Sequence, residues 1–271
     1  MRLSIRHTTH YLFDHPVAHG LQRLRLTPKS THGQQVVAWN MALGGAKLEA
    51  EYDDQHHNRT TLISVEPGTR EITIACTGTV DTADNAGVLG VHTGHMPMWA
   101  FIKQTPLTRP GARMRGLVQG LGADRSDPLA SLHALSQAVL AAMQYEIGVT
   151  NATTVAEAAL VAGHGVCQDH AQVFIGCARL LGVPARYVSG YLMMDDRIDQ
   201  EAGHAWAEAH VEGLGWVGFD VSNGISPDSR YVRVATGCDY RDAAPVTGIS
   251  YGTGDSALKV SLAVEQQLAE Q

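Results

Sequence analysis

Cys167, His204 and Asp220 stand in an order that permits thiol chemistry. Cys167 lies in Gly163-His164-Gly165-Val166-Cys167-Gln168-Asp169-His170. Behind it Val173, Phe174, Cys177, Ala178, Leu180 and Leu181 recur at helical spacing, until Gly182 and Pro184 stop the helix. The cysteine therefore belongs to the first turn of a largely buried helix. Unpaired backbone N–H groups and the positive end of the helix dipole favour an anion there, and the thiolate is the reactive form of a cysteine. Gly163 and Gly165 lack a Cβ, so another backbone could come close to the sulfur. A buried, inert cysteine at the start of a core helix fits the same octapeptide.

The partners come from two strands. His204–Val211 alternates, with His204, Trp206, Glu208 and His210 on one face and small apolar residues on the other. Trp216–Val221 follows after a turn, with Val217, Phe219 and Val221 on one face. Ala205, Ala207 and Ala209 carry odd numbers, as do Val217, Phe219 and Val221. Burying both sets together in a hairpin requires facing residues with an even index sum. That places His204 and Asp220 on the same opposite face, close enough for a carboxylate to hold a histidine ring. An even sum also requires a three- or five-residue connection. A thiol, a histidine to take its proton and a carboxylate to fix the tautomer make an activated-nucleophile set. The backbone N–H of Cys167 is a natural oxyanion donor. Alone, His204 reads as a polar edge residue and Asp220 as the first residue of the turn Val221-Ser222-Asn223-Gly224.

The chain has 271 residues, 44% hydrophobic and 17% charged, which fits a folded globular protein. A net charge of −7 without a basic block argues against nucleic acid or an anionic membrane as partner. No signal peptide is visible and no apolar run is long enough to cross a bilayer. The four cysteines, Cys76, Cys167, Cys177 and Cys238, lack paired spacing, so a reducing cytoplasm is the expected compartment.

Residues 3–13 alternate, with Leu3, Ile5, Tyr11 and Phe13 on one face and His7 and Thr9 between them. Shorter alternating runs follow at Leu24–Leu26, Val37–Met41, Arg59–Val65 and Ile72–Val80, which predicts a β-sandwich or open barrel over residues 1–100. The histidines there (His7, His10, His56, His57, His92, His95) lack a closed ligand set, so no metal centre is expected among them. Residues 101–126 read as a linker with a short helix. Asp127-Pro128 starts a helix whose apolar face carries Leu132, Leu135, Val139 and Met143. Thr154 and Glu157 suggest a capping box for a helix through Val161. Asp195–Gly203 reads as an exposed loop. Leu258, Val260, Leu262 and Val264 alternate as a strand, residues 257–265, expected to return to the N-terminal domain.

The segments Gly163–Asp169, Gly182–Tyr191, His204–Glu208 and Gly215–Asp220 resemble the transglutaminase-like superfamily of papain-type thiol enzymes. Arg2–Tyr11 resembles the β-rich domain that precedes the catalytic domain in bacterial members, and Tyr231–Val246 resembles their continuation. The resemblance implies an α+β fold, with an N-terminal β-sandwich-like domain and a papain-like, transglutaminase-like catalytic domain over residues 127–250. It also implies a Cys167–His204–Asp220 triad and no cofactor. Tyr145 looks like an aromatic residue that assists the oxyanion in relatives. With Gln168 and Trp206 it is a candidate for oxyanion or substrate contacts. His170 and Cys238 depart from the family pattern, where an aromatic residue and an arginine are usual, and His170 could perturb the thiol.

The expected function is thiol-dependent hydrolysis of a peptide, amide or isopeptide bond through an acyl-thioester. Amine transfer to glutamine side chains is the alternative. A zinc protein using His164-x-x-Cys167-x-x-His170 and a non-catalytic peptide-binding module are the rivals from other classes. The expected partner is a peptide or protein substrate, and the oligomeric state is left open.

Overall fold

The computed structural model describes residues 1–122, 126–251 and 256–267. Six strands come first: β1 (Arg2–Phe13), β2 (His19–Thr27), β3 (Gln34–Gly44), β4 (Ala46–Asp53), β5 (Arg59–Val65) and β6 (Glu71–Thr82). A short β7 (Val88–Gly90) leads to α1 (Ala112–Gly120), α2 (Pro128–Ala142), β8 (Gln144–Tyr145), α3 (Ala156–Ala162), β9 (His164–Gly165) and α4 (Cys167–Leu180). Then come β10 (Ala185–Leu192), β11 (Asp199–Gln200), β12 (His204–Val211), β13 (Gly215–Phe219), β14 (Tyr231–Gly237) and α5 (Tyr240–Ala243). Two strands, β15 (Val246–Tyr251) and β16 (Ser256–Gln266), follow. Among the described residues no helix is long and apolar enough to cross a membrane.

The fold is α+β. One N-terminal sheet has the order β11-β16-β1-β6-β3 and a second the order β15-β2-β5-β4. Between them lies a core of Phe13, Leu24, Leu26, Ile63, Ile72 and Ile74. The second domain is built on a sheet of order β14-β10-β12-β13-β7. Its apolar face is covered by α4, where Phe174 stacks on Phe219 at 5.0 Å between centroids. Its other face meets the N-terminal domain: Leu3, Ile5 and Val80 pack with Tyr191, Val232 and Val234. The odd-numbered face of β1 is thus buried against two neighbours. Polar His7 lies on the seam, where its Nδ1 meets the Tyr191 hydroxyl at 2.8 Å and its Nε2 meets Thr9 Oγ1 at 3.1 Å.

Several boundaries differ from the sequence expectation. Val246–Tyr251, placed with the second domain by a boundary at 250, pairs instead with β2. Val88–Gly90, placed within the first hundred residues, pairs with β13 of the second domain. Residues 101–126 are less a linker than part of the second core: Met114 and Val118 of α1 are buried in it, while residues 123–125 lie outside the described residues. The capping box at Thr154 is absent; Val155 is the N-cap and offers no side-chain bond. Glu157 serves another helix. Its carboxylate accepts from the backbone N–H groups of Gly111, Arg113 and Met114 at 2.7–3.1 Å, and so caps α1 across 43 or more residues of chain.

Candidate active site

The hairpin β12–β13 has the register that parity requires. Ala207 faces Phe219, Val211 faces Gly215, and three residues connect the strands. Ala205, Ala207, Ala209, Val217, Phe219 and Val221 all enter the core beneath α4. His204 and Asp220 consequently share the other face as diagonal neighbours. His204 Nε2–H donates to Asp220 Oδ2 at 2.6 Å. Both are buried, His204 at 8% exposure and Asp220 at 0%.

Asp220 is saturated. Its Oδ2 also accepts from the Tyr231 hydroxyl and from Asn223 Nδ2, each at 2.7 Å. Its Oδ1 accepts from Ser222 Oγ at 2.8 Å and from the Asn223 backbone at 3.2 Å. Asp220 therefore organises the turn and orients the histidine at once. Burial alone would raise its pKa, but the bonds and charge of His204, then those of Tyr231 and Asn223, hold the carboxyl down to about 2. Burial likewise pushes His204 down, and the Asp220 and Cys167 contacts outweigh it, so the imidazole is raised to about 10. The ring is bracketed by Trp206 at 6.2 Å and Tyr231 at 6.0 Å.

Cys167 opens α4 and is 9% exposed. Its thiol lies within electrostatic reach of both the His204 ring and the Tyr145 hydroxyl. Since Nε2 is held by Asp220, Nδ1 is the ring nitrogen left for the sulfur. The parallel pairing of Tyr145 with Gly165 sets that hydroxyl beside the thiol. Tyr145 is 55% exposed and stands at the mouth of the site; burial of its hydroxyl, then the nearby thiol, pushes its pKa up to about 12 and keeps it a donor. Gln168, half-buried, adjoins the thiol in the first turn of α4. Trp206 is 3% exposed and packs on His204 and Tyr231, so it braces the histidine rather than meeting solvent.

The glycines do a different job from the one anticipated. Gly163 ends α3 with φ +78°, a left-handed conformation open to glycine. A Cβ on Gly165 would lie 2.7 Å from Asp169 Oδ2, so that glycine makes room for the Asp169 carboxylate. That oxygen accepts from Val166 N–H at 2.9 Å and from the Thr150 hydroxyl at 2.6 Å, fixing the turn that carries Cys167. His170 has both ring nitrogens at carbonyl oxygens, those of Val166 (2.9 Å) and Met143 (3.3 Å). It is neither a zinc ligand with Cys167 nor a group aimed at the thiol. Tyr231 and Asn223 are the residues sequence reasoning missed; the only signal was Asn223, three positions after Asp220 in the turn.

Residues 115–221 match the transglutaminase-like superfamily, and residues 3–81 match the bacterial transglutaminase-like N-terminal region. An uncharacterized protein of Mycobacterium leprae is 26% identical over 272 residues, covering 96% of each chain. Another, of Mycobacterium tuberculosis, is 28% identical over 284 residues, covering 95% of this chain and 90% of the relative. In shape the chain is similar to a crystal structure of a candidate cysteine protease from Cytophaga hutchinsonii. The TM-score is 0.78 at 21% identity, over 100% of this chain and 92% of that one.

Proposed function

We propose that this chain, whose residues 115–221 match the transglutaminase-like superfamily and whose residues 3–81 match the bacterial transglutaminase-like N-terminal region, is a thiol hydrolase of peptide, amide or isopeptide bonds. The observation that supports the reading is the 2.6 Å bond of His204 Nε2 to Asp220 Oδ2, with the Cys167 thiol at the start of α4 within electrostatic reach of the same ring. The sulfur attacks the substrate carbonyl. The His204 ring, protonated at neutral pH, gives its Nδ1 proton to the departing amine, and an acyl-thioester forms on Cys167. Water then attacks that thioester, His204 takes the water's proton, and the acid leaves with the sulfur restored. Asp220 stays ionised throughout and keeps Nε2–H oriented. The Cys167 backbone N–H and the Tyr145 hydroxyl are the donors available to the oxyanion. The substrate class is a peptide or protein.

Incubation with a library of peptides and amides, followed by mass spectrometry of every cysteine, tests this. An acyl adduct confined to Cys167 and absent in His204→Ala is expected, with label from 18O-water entering the released acid. Acyl groups appearing instead on added amines would make the protein a transferase. Equal labelling of Cys76, Cys167, Cys177 and Cys238 would remove the chemical basis.

A further inference from the structure

We propose that His56, Cys238 and Asp242 bind one divalent cation of the zinc class at the junction of the two domains. His56 sits at the tip of the β4–β5 hairpin, Cys238 just after β14 and Asp242 in α5. Their potential ligand atoms lie within 4.8 Å of one another, and among the described residues no other group of three His, Cys, Asp or Glu side chains gathers in this way. His56 Nε2 and Asp242 Oδ2 are 3.3 Å apart. A tetrahedral ion with bonds of about 2.0–2.1 Å separates nitrogen and oxygen ligands by roughly this distance. One nitrogen, one sulfur and one oxygen suit zinc; the thiolate disfavours magnesium and calcium.

The ligands are held before any ion arrives. Asp54 Oδ1 accepts from the backbone of His56 and of Asn58, both at 2.9 Å, and Arg25 Nε donates to Asp54 Oδ2 at 2.9 Å. Asn58 ties this turn to β14 in both directions: Nδ2–H to Thr236 O at 2.7 Å, and Thr236 N–H to Oδ1 at 2.8 Å. Cys238 follows two residues later. Its carbonyl accepts from Arg179 Nη2 at 2.6 Å, and its N–H donates to Asp242 Oδ2 at 3.0 Å. His57, next to the ligand, has φ 59°, a left-handed conformation costly for a residue with a Cβ. The hairpin tip accepts that strain while presenting His56. The His56 side chain is 2% exposed, and its Nδ1 is buried with no protein partner. Asp242 is 35% exposed, which leaves an entry path and a place for water as fourth ligand. The ion would staple the sandwich hairpin to the second domain.

Cobalt(II), added to the untagged full chain, is the probe. One equivalent should bind with the near-ultraviolet charge-transfer band of a cobalt–thiolate bond. Cys238→Ser should abolish the band, His56→Ala and Asp242→Asn should weaken binding by about tenfold or more, and Cys167→Ala should leave it intact. Zinc should displace the cobalt and, in the unaltered chain, protect Cys238 from alkylation, a readout that needs no variant to fold. No charge-transfer band, or a band that survives Cys238→Ser and disappears in Cys167→Ala, would overturn the site. Neither result bears on whether Cys167 forms acyl adducts.

Discussion

At the scale of single residues, Asp220 gathers three donors on one oxygen, and one of them is the hydroxyl of Tyr231. Hydrogen bonds to a charged group contribute about 1.5–3 kcal/mol. Tyr231→Phe should therefore loosen the carboxylate and lower turnover by about tenfold or more with little change in KM, read from steady-state kinetics on any substrate found. His204 holds its proton more tightly folded than unfolded, up to about pH 10 against an ordinary 6.5. Its contribution to stability is whole below pH 6.5 and is lost as pH rises toward 10. Asp220 runs the other way: its contribution is present above about pH 3.8 and is lost as pH falls toward 2. The melting-temperature gap between the unaltered chain and His204→Gln should be widest near pH 5–6 and close by pH 10; a constant gap would contradict the assigned shift. The face shared by His204 and Asp220 was legible because strand periodicity is two and the apolar set chooses the register. Tyr231 was not, because nothing local joins it to a residue eleven positions earlier.

At the scale of elements, α1 has Gly111 as its N-cap and no side-chain cap of its own, and Glu157 supplies one from α3. Loss of a cap costs about 0.5–2 kcal/mol. Glu157→Gln should lower the unfolding free energy by that amount, seen as a lower midpoint of chemical denaturation at unchanged slope, and amide exchange should rise at residues 111–114. Sequence pattern marked Glu157 as a capping residue yet assigned it to the wrong helix, since Thr-x-x-Glu is a local motif and the true contact is tertiary. The helix start at Asp127 was read correctly because its cap is local: Asp127 Oδ1 accepts from Ala130 N–H at 3.0 Å. The linker expectation failed for a related reason. Three prolines and four glycines interrupt residues 97–122, and the two buried side chains of α1 are too few to impose a period.

At the scale of the whole molecule, the seam between the domains holds a buried histidine. Burial pushes His7 down to about 4. Between pH 6.5 and about 4 the unfolded chain binds the proton and the folded one does not, so stability falls as the medium is acidified through that window. His7→Gln should flatten this acid limb in pH-dependent melting while leaving the neutral melting temperature within a few degrees. Strand patterns revealed that a sandwich exists, and alternation from 258 to 264 revealed another strand. Which edges they fill was hidden, because pairing partners lie more than two hundred positions apart.

The pairing of β1 with β16 and of β2 with β15 has a consequence for how the polypeptide is made. While the ribosome is still translating the middle of the message, β1 and β2 each wait with one open edge, and open edges invite association with other nascent chains. The second domain can collapse once β14 has emerged, but the sandwich closes only after Gln266 has left the exit tunnel. Interrupting translation before codon 246 should therefore yield a fragment that precipitates, whereas release after 267 lets both edges find their mates.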